Sequence, residues 1–565
     1  MFPNPLSFLQ ASATGATEFI IKVKTDNTGS SNNDQFTIPT FGTATYDYTV
    51  DWGDGSDDTG QTGNITHTYA AAGEYEIKIS GTFPRIYFNS TGDAEKLLEI
   101  VNWGNNPWTS MDRAFWDCIN MDITATDAPD FSNVTSFSQA FRGCTSMTTT
   151  GTSADWVTAT GTNLYYMLYD CRSLLTCDAS NWNTSSVETM EYFFYNCKLL
   201  TTLDTSGWDT SSLGTGSITN VATKCLYRAF FNCEALTTLN VSGWDVSNVA
   251  SFQELFEDCY ALNGIDVSEW DTSNLVIMTE MFRECRALTS LDLGSWNVSS
   301  LTTLQAAFYN CDVLTTIGDI SGWSTGVITN LIETFRNTDA LTVDLTGLGS
   351  NIGAAQARNT FILTSGSGVV TGYDTWDVSN ITSFQATFQS AGGTNFATFP
   401  ETWDMTSGTN FLQTFYKAGM MTGSIDCTAM KFGPVASLSQ MFRQNPNNTN
   451  LTDITFGPDC DFSTTSNLSF FISGHTGLTD INWDAGLDLS ALSNASNLMT
   501  SPAEMGGAGG TANYDLFLIA LDAGSGTPGT LSAGASTYSA APSAAATAHA
   551  SLNTKGWAIS DGGPI

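Results

Sequence analysis

Basic residues are scarce in this chain. Lys and Arg number 19 against 56 Asp and Glu, a net charge of -37. Such a balance repels phosphate backbones and anionic lipid, so no nucleic-acid partner is expected. Charged residues of both signs make up only 13% of the chain, well below the roughly 25% usual for globular proteins. Histidine occurs three times, at His67, His475 and His549, each in a different segment, and no H-E-x-x-H string exists to build a zinc protease. No two cysteines stand in a C-x-x-C pair, which removes the commonest zinc and redox layouts. There is no phosphate-cradling glycine loop with a following Lys. No apolar run approaches the ~18 to 20 residues of a membrane span, so no membrane insertion is expected. The opening residues carry no positive charge before Lys22, so no secretory signal is read there. Together these absences point away from an enzyme. A paired-carboxylate glycosidase is the one catalytic alternative that so many acids leave open.

What the chain does have is a repeat. Cys118, Cys144, Cys171, Cys197, Cys233, Cys259, Cys285 and Cys311 stand 26, 27, 26, 36, 26, 26 and 26 residues apart. A fixed period in this range marks a solenoid whose units bury their apolar faces against neighbours. Three residues before each Cys is an apolar residue, such as Phe115, Phe141, Phe256, Phe282 and Phe308. This column runs on without Cys through Phe335, Phe361, Phe388, Phe415, Phe442 and either Phe470 or Phe471, giving about fourteen coils. Met278, Phe282 and Cys285 fall at i, i+4 and i+7, which predicts a short helix in each coil. The L-x-x-L phrase after each Cys predicts a strand, and stacking adds these strands to one parallel sheet. A Trp followed by Asp or Asn closes many coils, as at Trp208, Trp244, Trp270 and Trp296. The ring is expected to pack between coils and the Asp or Asn to satisfy loop amides. The predicted class is therefore an α/β solenoid of leucine-rich-repeat type, a parallel sheet with short helices, preceded by a small all-β sandwich. The domain reading is an N-terminal segment (1–17), a sandwich (18–92), the solenoid (93–500) and a C-terminal cap (501–565).

Two resemblances follow from these motifs. Y-T-V-D-W-G-D-G-S and then T-H-T-Y-A-A-A-G-E-Y-E-I-K, with Trp52, Gly53, Asp54, Gly55, His67, Tyr69, Gly73 and Tyr75 in place, resembles the polycystic-kidney-disease (PKD) type of immunoglobulin-like domain. That resemblance implies a spacer or binding module. The phrase M-F-R-E-C-R-A-L-T-S-L-D-L-G-S-W resembles the BspA-type leucine-rich-repeat surface protein family, most closely in coils 4 to 8. That family implies extracellular adhesion and no catalytic residues.

Candidate sites are few. Asp51, Asp54, Asp57 and Asp58 around the W-G-D-G turn could hold Ca2+, the alternative being turn-capping carboxylates. The cysteine column is read as a reduced packing ladder, because zinc needs convergence that a column does not give. The residue after each Phe turns off the inward stripe: Trp116, Arg142, Tyr169, Tyr195, Phe231, Arg283 and Tyr309. Tyr, Trp and Arg dominate binding hot spots, so this column is the candidate ligand-binding stripe, with groove-covering packing as its structural alternative. Ten extra residues between Cys197 and Cys233 form a second candidate contact. The expected function is attachment to a host-surface glycan or protein by a bacteriophage tail or fibre protein on the virion surface. An exported adhesin on a bacterial cell surface and a structural virion or filament subunit are the alternatives, with a virion docking partner and a homo-oligomer among the possible contacts.

Overall fold

The computed structural model describes residues 17–151, 156, 163–215, 224–362, 367–391, 396, 398–444, 451–499, 512–524 and 528–565. The chain forms two compact units, Met1–Val221 with Ala229–Trp244, and Ala222–Arg228 with Asp245–Ile565.

The first unit opens with β-strands whose alternation follows their sequences. In β1 (Phe19–Lys24), β3 (Asp47–Asp51) and β6 (Glu74–Thr82), Ile21, Val23, Tyr48, Val50, Ile77 and Ile79 point inward and are fully buried. With β4 (Asp57–Gln61), β7 (Leu97–Asn102) and β8 (Asp122–Ile123) they form one sheet in the order β4-β3-β6-β1-β7-β8. A second, two-stranded sheet pairs β2 (Gln35–Ile38) with β5 (Ile65–Thr68). This part is all-β, as expected. Gly53 is obligatory in the W-G-D-G turn: its φ is 76°, and a Cβ there would sit 2.3 Å from the Glu76 carbonyl oxygen.

The sheet carries across residue 92 into the repeat. Strand β7 lies antiparallel to β1 on one side and parallel to β8 on the other. A buried ion pair fixes the junction: Asp93 accepts from Ser31 N and Thr37 N, while Lys96 Nζ donates to the Ser31, Asn32 and Gln35 carbonyls. Both side chains are fully enclosed, and burial lowers the Lys96 pKa. Further along, β9 (Thr176–Cys177), β10 (Thr202–Leu203) and β11 (Thr238–Leu239) continue as a parallel ladder from successive coils.

The coils form a β-solenoid, which corrects the expected leucine-rich-repeat α/β class. The stretch Met278–Cys285 in the second unit shows why. The N–H groups of Met278, Glu280, Phe282 and Glu284 donate to the carbonyls of Thr303, Gln305, Ala307 and Tyr309 in the next coil, at 3.1, 2.8, 3.0 and 2.7 Å. Arg283 and Cys285 instead close turns onto Glu280 and Phe282. A helix would bond within itself at i-4 and keep φ negative. Here Glu280 and Glu284 have φ of 56° and 64°. The inward stripe is as expected, since Met278, Met281, Phe282 and Cys285 are fully buried, but two tight turns create it.

Columns of identical side chains line the core of each unit. Phe256, Phe282, Phe308, Phe335 and Phe361 stack with centroids 5.6, 6.1, 5.7 and 5.9 Å apart. Trp208 stacks between Trp182 and Trp244, and Trp296 Nε1 donates to the Val267 carbonyl one coil back. The Asp after Trp caps its own turn, as Asp209 Oδ1 does for Ser211 N. At residues 468–475 the Phe column is carried by Ile472, not Phe470 or Phe471. Ile472 N bonds the next coil's Leu498 carbonyl just as Phe442 N bonds Phe471, whereas Phe470 occupies the left-handed turn position with φ 56°.

The second unit ends in the helices and strand the sequence predicted. α1 (Ala512–Ala523) buries Tyr514, Phe517, Leu518 and Leu521, and α2 (Ala544–Thr554) begins at Ser543, whose side chain accepts from Ala546 N. Parallel strands Asn494–Met499, Thr530–Ala533 and Ala558–Ser560 accompany them. The glycine-rich run after residue 499 lies outside the described residues.

Candidate functional site

The residue after each Phe does stand off the core, and in the first unit it builds a continuous strip. The Arg142 guanidinium lies 4.6 Å from the Trp116 ring, 4.8 Å from Tyr166 and 5.1 Å from Tyr169. Tyr169 stacks on Tyr195 at 4.5 Å and 4°, and Tyr195 on Phe231 at 4.7 Å and 6°. All of these side chains are half-buried. Because the stacking is face to face, the strip offers ring edges, phenol oxygens and one guanidinium outward, not open ring faces.

A parallel column two residues before each Phe escapes a reading based on apolar spacing. It contains Tyr166 and Tyr192, whose rings meet at 4.4 Å. This column occupies the left-handed position of the turn: Tyr166, Tyr192, Arg228, Glu254 and Glu280 all have φ between 53° and 57°. A left-handed residue throws its side chain to the outside, beside the residue three places on.

In the second unit the same two columns carry charge. Arg283 pairs with Glu257 and its guanidinium lies 5.3 Å from the Tyr309 ring, which Arg336 also approaches at 5.3 Å. Arg228 pairs with Glu254. Among the described residues, Glu254, Glu257 and Glu280 are the one set of three His, Cys, Asp or Glu with ligand atoms within 4.8 Å of one another. Glu257 is 4% exposed at its side chain, and its Oε2 has no hydrogen-bond partner. Burial, then the charges of Glu280 and Glu254, push the Glu257 carboxyl up to about 9. Three carboxyls between two guanidiniums are neutral when one proton is shared.

A family model described as "Mycoplasma protein of unknown function, DUF285" matches residues 109–222, 224–348 and 366–454, more than half of the chain. The chain belongs to this family. No curated protein matches it. The DUF285 segments contain the strip from Trp116 to Phe231, the Glu254–Glu257–Glu280 cluster, Arg283 and Tyr309, and leave out strands β1 to β7.

Outside the DUF285 segments, the four aspartates of the W-G-D-G turn do not converge. Asp51 accepts from Gly53 N, Asp54 from Ser56 and pairs with His67 at 2.9 Å, and Asp58 accepts from Trp52 Nε1. Asp57 sits opposite Asp51 in the β3–β4 ladder. Ser56, His67 and Asp54 lie together, but Ser and Asp both meet the same Nε2, so no proton relay through the ring exists.

The DUF285 coils themselves carry one further catalytic-looking string, Gly322-Trp323-Ser324-Thr325-Gly326, of the G-x-S-x-G kind. It forms the ordinary Trp turn, with Trp323 Nε1 donating to Leu293 O, and not a strand-to-helix elbow. All twelve cysteines are buried thiols outside any disulfide. Column thiols donate to the Phe carbonyl of the preceding coil, Cys285 to Phe256 at 3.2 Å and Cys311 to Phe282 at 3.0 Å. The insertion expected as a contact loop falls largely on 216–223, outside the described residues.

Proposed function

We propose that this protein is a non-enzymatic attachment protein that recognises a host-surface protein or glycan through the half-exposed aromatic and arginine strip of its first unit. The observation that carries the reading is the register of Trp116, Arg142, Tyr169, Tyr195 and Phe231, held rigid by stacking so that little side-chain entropy is lost on binding. Outward ring edges, hydroxyls and Arg suit a flat polar epitope. The finer resemblances belong to the same proposal: BspA-type surface repeats for the coils and a PKD-like module at 18–92 as spacer or docking piece, with 93–500 as solenoid and 501–565 as cap. The location is extracellular, on a virion as a bacteriophage tail or fibre component. No cofactor is required.

The test is a glycan array and a cell-binding assay with the full chain and with Tyr169→Ala, Tyr195→Ala and Phe231→Ala. Loss of binding with the fold retained supports the strip. Binding undiminished in all three sinks it. Binding to no cell or glycan favours the structural-subunit alternative, which mass measurement of assembled particles checks. An exported bacterial adhesin would be found on the surface of the producing cell.

A further inference from the structure

In three successive coils of the second unit the repeat's Trp is missing. Met430, Cys460 and Leu487 close the same turn that Trp270 and Trp296 close, each N–H bonding the carbonyl three residues back, at Cys427, Gly457 and Asp484. The Asp that follows still caps its turn in two of them, Asp461 to Ser463 N and Asp488 to Ser490 N. Replacing an indole by Cys removes volume from a column that neighbours cannot close up. A cleft of about 480 Å3 opens there.

Its lining is specific in kind. Asp459, Asp461, Asp484 and Asp488 face a single cation, Lys431, which lies 4.0 Å from Asp404. Asp461, Asp484 and Asp488 each use only Oδ1 on their own turns, leaving Oδ2 available. These four carboxylates do not approach closely enough to form a one-ion cage, which among the described residues only the Glu254 cluster does. The cleft therefore fits a ligand with several separated donors. The apolar wall is aromatic, with Trp483 stacked on Phe456 at 5.2 Å and edge-on to Phe462 at 5.5 Å. Trp483 is 7% exposed, and its indole N–H, like those of Trp108 and Trp156, has no acceptor within the protein. A ligand oxygen would repair that deficit.

We propose that this cleft is a binding site for an amino sugar with a free amine. Such a ligand supplies an ammonium and several hydroxyl donors to the carboxylates and a hydroxyl oxygen to the indole. The volume lies within the ~300 to 1,000 Å3 of small-ligand sites. The proposal is independent of the first-unit strip.

Isothermal titration and saturation-transfer NMR on the full chain test it, with glucosamine, N-acetylglucosamine, glucose and lysine amide as ligands. Saturable binding of glucosamine, at least tenfold weaker for N-acetylglucosamine and glucose, is expected. Asp488→Asn should weaken it severalfold. Cys460→Trp restores the repeat's own residue, and its indole would reach Cys427 O, which lies 3.7 Å from the Cys460 sulfur. That variant should retain its circular dichroism and lose glucosamine binding. Equal binding of the acetylated or neutral sugar, lysine amide binding as tight as glucosamine, no amine binding at all, or full binding by a folded Cys460→Trp would each overturn the proposal. If Cys460→Trp fails to fold, unchanged affinity in Asp488→Asn and Asp459→Asn overturns it instead.

Discussion

Glu257→Gln should make the second unit less sensitive to alkali. Glu257 lies between Glu254 and Glu280 with Arg283 on Oε1 and nothing on Oε2. Its ordinary pKa of 4.5 is raised to about 9 by burial and by its two acidic neighbours. The folded state thus holds a proton that the unfolded chain has released at any pH between those two values. Stability from this group is fully present below about 4.5 and is lost as pH rises toward 9, with a slope of up to about 1.4 kcal/mol per pH unit. From pH 6 to 9 the loss attributable to Glu257 is at most about 4 kcal/mol, and about half of that if neighbouring groups rearrange. Gln keeps the shape, accepts from Arg283 and donates to a neighbouring carboxylate without any proton to lose.

Urea unfolding followed by circular dichroism at pH 6, 7.5 and 9 provides the assay. Hydrogen exchange across 252–285 serves as the local readout, because a chain of two units need not unfold in one step. The stability of the variant relative to wild type should rise by ~2 to 4 kcal/mol between pH 6 and pH 9. Parallel pH profiles would refute the shared proton. Stabilisation of wild type by millimolar Ca2+ or Mn2+, lost in Glu257→Gln, would refute it differently, by showing that a cation and not a proton neutralises the cluster.

Other consequences can be checked as directly. A thiol reagent should label none of the twelve cysteines in the native protein and all twelve in denaturant, since every one is a buried thiol outside any disulfide; a coil-to-coil disulfide would lower the denatured count. His475 fills the Cys position of its coil, its Nε2 2.7 Å from the Phe442 carbonyl, and burial lowers its pKa from 6.5 to about 4. Its stabilising effect is present above 6.5 and fades as pH falls toward 4, by up to about 1.4 kcal/mol per unit, so His475→Cys should shift acid unfolding to lower pH. Phe308→Ala, between Phe282 and Phe335, should cost about 3 to 5 kcal/mol in denaturant titration, whereas half-exposed Tyr195→Ala should cost nearer 1.

Much of this architecture is legible in the sequence because stacking forces like onto like. A 26-residue period places the same residue at the same height in every coil, so the spacing alone reveals the Cys, Phe and Trp columns. The conformation between them does not follow from apolar spacing. Two successive turns and one short helix bury the same i, i+4, i+7 positions. The distinguishing signal is the residue ahead of each Cys: Asp117, Asn196, Asn232, Asp258 and Asn310 all adopt positive φ, and Asn and Asp are the side chains that tolerate it. The outer column of Tyr166 and Tyr192 is hidden for the same reason, because a left-handed residue faces out where a helical one at i-2 from Phe would not. His475 and Cys460 show the converse limit. A substitution that keeps the turn but changes the chemistry is visible only once neighbouring coils supply the register.

The acidic excess takes on a specific meaning in this light. A net charge of -37 suggests no more than a solvating surface, yet many of the carboxylates are structural parts of the repeat. Asp204, Asp209, Asp266, Asp271 and Asp377 each accept from the Ser two residues on, and those hydrogen bonds lower their pKa values. The turn needs an acceptor there, and Asn serves the same purpose at Asn183, Asn240 and Asn297. Charge is therefore incidental to the cap and exchangeable at each coil, while the acceptor is not. An Asp209→Asn change should leave stability nearly intact and Asp209→Ala should not, so the charge of these columns is free to be selected for what the outer surface meets.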